Sequence, residues 1–145
     1  MVKKSCFVIL FTIACALSAA AQNANAVLGK WLNSSGEGQI QIYKKGNNFF
    51  GKLAWMKVPN DDSGKPKLDV KNPDKSLQSR PKLGLEILKD FTFDGENGYE
   101  NGTIYDPQSG KTYRCKMTLN GDELKVRGYV GISLLGRTEK FKRVK

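Results

Sequence analysis

The chain has 145 residues, with 24 Lys plus Arg against 14 Asp plus Glu, no His and 3 Cys. That length suits one domain, and the missing imidazole excludes His-dependent catalysis and any His-ligated zinc. A composition 39% hydrophobic and 26% charged, with 15 Gly and 5 Pro, is that of a folded, turn-rich and strand-rich chain rather than a disordered or wholly membrane-spanning one.

In chain order, Lys3 and Lys4 precede the apolar run from Cys6 to Leu17, followed by Ser18-Ala19-Ala20-Ala21 and polar Gln22-Asn23. A basic start, a short apolar centre and a small-residue end form the pattern of a secretory signal peptide. The apolar run falls short of the ~20 residues that a spanning helix needs. Cleavage is expected after Ala21, which makes residues 1–21 the signal and 22–145 one exported domain, periplasmic or secreted. A competing use is a lipoprotein signal acylated at Cys15: Ala14 suits it, while Thr12 stands where Leu is expected. Processing leaves Cys115 as the remaining thiol, so the exported part has no intramolecular disulfide. Cys115 shares its parity with Tyr113, Met117 and Leu119, which predicts a buried, inert thiol.

The exported part stays basic, but Lys111, Arg114, Lys116, Lys125 and Arg127 are dispersed singly along alternating segments. No basic run interleaves with aromatics as in a nucleic-acid groove, and nucleic acid is not an expected partner. The charge reads as a solvated basic surface, or as an attraction to anionic lipid or envelope polysaccharide.

Period two dominates and long 3.6-residue stripes are absent. Val27–Leu32 opens the domain. Gln39–Tyr43 alternates, Lys44–Asn48 is a hairpin signal, and Phe49–Met56 returns with Phe49, Leu53 and Trp55 on one parity. Residues 58–81 form a long polar connection of the kind that is functional or mobile. A strand resumes at Leu83 and runs to Phe93, and the adjacent pair Ile87-Leu88 predicts a bulge. Asp94–Gly98 turns, Gly102–Tyr105 is a short strand, and Asp106–Gly110 turns again. Lys111–Leu119 and Glu123–Val130 flank Asn120-Gly121, the strongest hairpin signal in the chain. Arg137–Val144 closes it. About eight strands joined by tight turns, with no helix to cover a sheet face, predict an all-β, antiparallel up-and-down barrel. A β-sandwich is the alternative.

Three strings carry a resemblance: Gly84–Leu88, Gly102–Tyr113, and Val126–Gly131 running on to Leu135–Thr138. Together they resemble the bacterial family catalogued as domain of unknown function 2147, small exported proteins, from Gly29-Lys30-Trp31 to Arg143. Phe141 and Tyr99 stand where Trp is expected in that family. The resemblance implies a lipocalin-like barrel with no established activity and brings no catalytic residues. Gly29-Lys30-Trp31 also resembles the Gly-x-Trp of lipocalins, in which the Trp plugs the closed end beneath an Arg of the last strand. Trp31 would be that structural plug, and Arg137 or Arg143 its partner, a stack worth roughly 0.5–2 kcal/mol.

Tyr105, Asp106, Tyr113, Arg127, Tyr129 and Arg137 concentrate polar aromatics and guanidinium in the last third of the chain. Of these, Tyr105, Tyr113, Arg127, Tyr129 and Arg137 are the candidate ligand-binding residues, since an inward Arg can hold a carboxylate or phosphate in bidentate fashion. The competing use is structural, with Arg127 and Arg137 paired to Glu139 or Asp106. The apolar tip Ile132, Leu134 and Leu135, between Gly131 and Gly136, can meet a membrane or an envelope partner, close over a cavity, or fold back on the barrel. Asp61, Asp62, Asp69 and Asp74 do not match an EF-hand spacing and alternate with lysines, so no metal is expected. No carboxylate pair is brought together by the sequence, and Ser109 and Ser133 lack a His. The expectation is therefore a monomeric, non-enzymatic barrel without a cofactor, binding a small amphipathic or anionic molecule. A structural or protein-interaction role in the cell envelope is the alternative.

Overall fold

Apolar and polar residues alternate along eight strands in the computed structural model, which describes residues 24–145. The signal peptide expected at 1–21 and the alternative acylation at Cys15 lie outside the described residues. The strands are β1 (Gly29–Leu32), β2 (Gly38–Lys45), β3 (Asn48–Met56), β4 (Glu86–Phe93), β5 (Gly98–Asp106), β6 (Lys111–Asn120), β7 (Glu123–Tyr129) and β8 (Gly136–Arg143). Each pairs antiparallel with the next, and β8 pairs back onto β1, so the sheet is a closed up-and-down barrel. Closure leaves no free edge, and the sandwich alternative is excluded. The β6–β7 hairpin runs in continuous register from Arg114↔Tyr129 to Asn120↔Glu123, around Gly121 at φ +60°, a conformation that suits glycine.

The break of alternation at Ile87-Leu88 is a bulge. Gly51 faces Leu88 while Lys52 faces Glu86, leaving Ile87 as the extra residue. A second bulge was not legible in advance: Gln39 faces Trp55 and Ile40 faces Leu53. The extra Ala54 inverts the parity of everything after it. Trp55, expected on the face of Phe49 and Leu53, consequently turns outward and is 40% exposed. A third irregularity lies where β4 and β5 run side by side, with Asp90 and Asn101 both at φ 63°. Asn and Asp are the residues that tolerate this region best. That bend lets β5 begin at Gly98 rather than at the predicted Gly102.

Two strand glycines make room for the core. A Cβ at Gly102 would stand 2.5 Å from the Phe91 ring, and one at Gly51 would stand 2.8 Å from Leu88. Both sites require the close approach that only glycine permits. The resulting core fills one half of the barrel: Trp31, Phe49, Phe91, Tyr99, Met117 and Leu124 are fully buried. Phe49 and Tyr99 meet edge to face at 5.1 Å, a favourable aromatic geometry. Cys115 belongs to the same core, and burial pushes its thiol up to about 12.

This packing gives the barrel two unlike ends. Turns 46–47, 94–97 and 121–122 and the 3-10 helix Asn25–Val27 lie at the filled end. Loop 33–37, the long connection 57–85, turn 107–110 and loop 130–135 lie at the other. No helix among the described residues is long and apolar enough to cross a membrane.

Candidate functional site

At the filled end, Trp31 is wholly buried and its Nε1 donates to Val27 O at 2.9 Å. The Arg143 guanidinium lies over the indole, with its Cζ 4.3 Å from the ring centroid. Arg143 also donates to Ala26 O at 2.7 Å, Leu28 O at 3.3 Å and Asp122 Oδ1 at 3.2 Å. One side chain thus ties the entering chain, β1, the β6–β7 turn and β8 together. The seam it spans is narrow: β1 and β8 pair through Trp31↔Arg143 and Leu32↔Lys142, and Val144 N donates to Lys30 O at 2.9 Å just beyond β8. Of the two arginines considered for this place, Arg143 holds it and Arg137 lies at the opposite end.

The long connection is an ordered structure folded against β5. Asp69 is fully buried and accepts from Tyr105 Oη at 2.6 Å, Asn72 Nδ2 at 2.8 Å and Arg80 Nη2 at 3.4 Å. Burial alone would raise the Asp69 carboxyl, but these three donors outweigh it and hold it below the usual carboxylate range. Burial, and then the bond to Asp69, pushes Tyr105 up to about 12. Gly110 completes the join: any Cβ there would fall 2.0 Å from Lys71 O. Among the described residues, no group of His, Cys, Asp or Glu is arranged to hold a metal ion.

Above the filled half, a cavity of about 1270 Å³ opens through the loops of the second end. Its walls include Ile40, Leu53, Ile104, Val126 and Phe141, with Tyr113, Arg137 and Glu139 as polar groups. Strand register explains why these three face it. Arg137 and Glu139 pair with Gly128 and Val126, and Val126 and Phe141 are buried on the inner face. Tyr113 pairs with Ile104 and shares its parity with buried Cys115. Gly38 and Gly128, on the inner face of β2 and β7, also line the cavity and contribute no side chain to fill it.

The side chains of Arg137 and Tyr113 make no hydrogen bond or ion pair among the described residues. Glu139 accepts from Ser34 Oγ at 3.2 Å, and neither Glu139 nor Asp106 pairs with Arg137. The Asp106 carboxylate is engaged by its own turn, accepting from Gln108 N at 2.9 Å and Ser109 Oγ at 2.8 Å. Lys57, Lys67 and Lys82 add positive charge at the mouth.

The other sequence-selected residues stand elsewhere. Tyr105 and Tyr129 touch the cavity at its rim, but both lie on the outward parity of their strands, and the Tyr105 hydroxyl is committed to Asp69. Arg127 points outward opposite Thr138. It donates from Nε to Ser133 O at 2.6 Å, from Nη1 to Thr138 Oγ1 at 2.8 Å and from Nη2 to Leu134 O at 3.4 Å. It holds the loop carrying Ile132, Leu134 and Leu135 and does not line the cavity. The lysines of the long connection were missed as mouth residues because nothing local shows where such a connection folds.

A cup with an apolar wall, an unpaired guanidinium and a stoppered base can enclose an elongated molecule and hold its charged head. Among solved structures, the chain is similar to protein HP1028 from the human pathogen Helicobacter pylori, which belongs to the lipocalin family. The TM-score is 0.70 at 21% identity, over 82% of this chain and 83% of that one. The likeness is one of fold. No curated protein matches the chain in sequence. The profile of the family described as "Uncharacterized protein conserved in bacteria (DUF2147)" matches residues 29–143, the barrel from Gly29 to Arg143, and the chain belongs to this bacterial family.

Proposed function

We propose that this protein is an exported binding barrel for a small amphipathic anion, with the apolar part of the ligand in the cup and its charged head at the mouth. The observation that carries the reading is the cavity of about 1270 Å³ with Arg137 on its wall and without a partner among the described residues. Arg137 is exposed to the solvent of the open cup, so its guanidinium is free to meet an incoming carboxylate, sulfate or phosphate with charge-assisted hydrogen bonds. Positive Lys57, Lys67 and Lys82 at the mouth favour the same sign of ligand. Tyr113, two residues from Cys115 on the inner face, offers a hydroxyl that both donates and accepts.

Export rests on the first segment: Lys3 and Lys4, the apolar run and the small residues to Ala21. The intact mass of protein taken from the cell envelope should correspond to a chain beginning at Gln22. A chain beginning at an acylated Cys15 would instead make it a lipoprotein.

The binding reading is tested by titrating the protein with anilinonaphthalene sulfonate, an anionic apolar dye, and displacing it with a long-chain fatty acid. Saturable uptake at one site with competitive displacement is expected. Native mass spectrometry of protein purified from its own envelope should show a co-purifying small molecule. An absence of saturable uptake, with nothing retained in the spectrum, would end the proposal.

A further inference from the structure

The large apolar side chains that stand exposed among the described residues are gathered at one end of the barrel. They are Trp55, near the end of β3, three residues of the long connection together with Val58, and Val130, Ile132, Leu134 and Leu135 around the β7–β8 loop. Leu134 and Leu135 are 83% and 74% exposed, on a loop whose backbone carbonyls are held by Arg127. The tip is therefore presented by a clamp rather than left loose. Val58, Val130 and Leu135 also line the cavity, so the apolar rim and the apolar interior form one continuous surface.

Cations stand beside this apolar rim. Lys57, Lys67 and Lys82 surround the mouth; the filled end carries cations too, Lys44 and Lys45 beside turn 46–47 and Lys142, Arg143 and Lys145 at the end of β8, so what marks the mouth is lysines next to exposed apolar side chains. The barrel wall itself is charged: Lys116 faces Arg127, and Lys125 faces Lys140, on the outer side of β6 to β8. A lipid-facing band for a spanning barrel needs an apolar exterior, which this wall lacks.

We infer that the protein docks mouth-down on an anionic lipid surface, seating Leu134, Leu135 and Val58 among the acyl chains while the mouth lysines meet the headgroups. An apolar tip with neighbouring cations gains from both burial and the negative surface potential, and the gathering of exposed apolar side chains at the mouth alone orients the cup toward the bilayer. The inference rests on the binding reading, because the docked cup would exchange its amphipathic ligand with the lipid layer without passing it through water.

The experiment is co-sedimentation of the chain with vesicles of phosphatidylcholine alone and of phosphatidylcholine mixed equally with phosphatidylglycerol, beside dye binding measured without vesicles. Binding to the mixed vesicles is expected, weakened by salt and much weaker on phosphatidylcholine alone. The variant Leu134→Gln should lower vesicle affinity about tenfold, and Lys57→Gln/Lys82→Gln about fivefold per lysine. Dye affinity in solution should stay unchanged in the leucine variant, because the exposed Leu134 side chain is not part of the cavity lining, and circular dichroism should show the fold intact. Failure of the parent chain to bind mixed vesicles, or equal binding by the leucine variant, overturns docking even where the dye still enters the cup. A parent chain that ignores vesicles and sediments as a dimer, lost in the leucine variant, overturns it in favour of self-association. Loss of dye uptake alone, with vesicle binding kept, would strike the binding reading instead and leave the docked surface standing.

Discussion

Arg137 and Arg127 are ten positions apart in sequence and do different work, and the difference is strand parity. Arg137 faces the cup without a partner among the described residues, so Arg137→Gln should weaken dye or fatty-acid binding about tenfold or more, the worth of a charge-assisted hydrogen bond, with the thermal midpoint nearly unchanged. Arg127→Ala should leave ligand affinity alone and speed hydrogen exchange in residues 131–136 by about tenfold, because it frees a loop whose carbonyls it holds with two hydrogen bonds. Asp69 is a different kind of residue: its donors are all within the protein. Its carboxyl sits lower in the folded chain than in the unfolded one, where the value is about 3.9. The stability it contributes is therefore complete above that value and lost as pH falls toward the lower folded one. Asp69→Asn should flatten the acid limb of a stability–pH curve, and Asp69→Ala should cost about 1–3 kcal/mol at neutral pH by leaving Tyr105 and Asn72 unsatisfied.

Among the elements, the short seam of β1 on β8 is the place where the ring is most easily opened. Arg143→Ala removes the stack on Trp31 and the bonds to Ala26, Leu28 and Asp122. A loss of about 2–4 kcal/mol in denaturant unfolding is expected, from the stack and its charge-assisted bonds together. Arg143→Lys should recover only part of it, since an ammonium lacks the planar fork that reaches several carbonyls at once. On the opposite side of the ring, Gly102→Ala places a methyl 2.5 Å from the Phe91 ring. The strand must shift or Phe91 must leave its rotamer, a cost of about 1–3 kcal/mol. The bulges on β3, β4 and β5 bend the sheet around this core, and they also send Trp55 out to the rim.

For the molecule as a whole, the consequence is a barrel packed at one end and hollow at the other. The packed half provides the core and the strap, and the hollow half can change its lining without unfolding the ring. A ligand that enters only the folded cup must stabilise it by mass action, about 2.7 kcal/mol at a hundred times its dissociation constant. Saturating dye or fatty acid should therefore raise the thermal midpoint of the parent chain and raise it much less in Arg137→Gln, a comparison that differential scanning calorimetry makes directly.

The strand number, the antiparallel order, the Asn120-Gly121 hairpin, the Ile87 bulge and the burial of Cys115 are all properties of short windows, where period two and turn chemistry act on neighbours in the chain, and they are legible in the sequence alone. The same local signals select Tyr113 and Arg137 as polar residues among apolar ones but cannot tell them from Arg127 and Tyr129. Which of the four faces inward depends on the register between strands, and an extra residue such as Ala54 inverts it without a local mark. That Arg143 rather than Arg137 covers Trp31, that Asp69 gathers Tyr105, Asn72 and Arg80, and that Lys57, Lys67 and Lys82 meet at one mouth was decided by tertiary structure. Each of these joins positions distant along the chain, and only closure of the ring, with half of it packed solid, brings them to the same place.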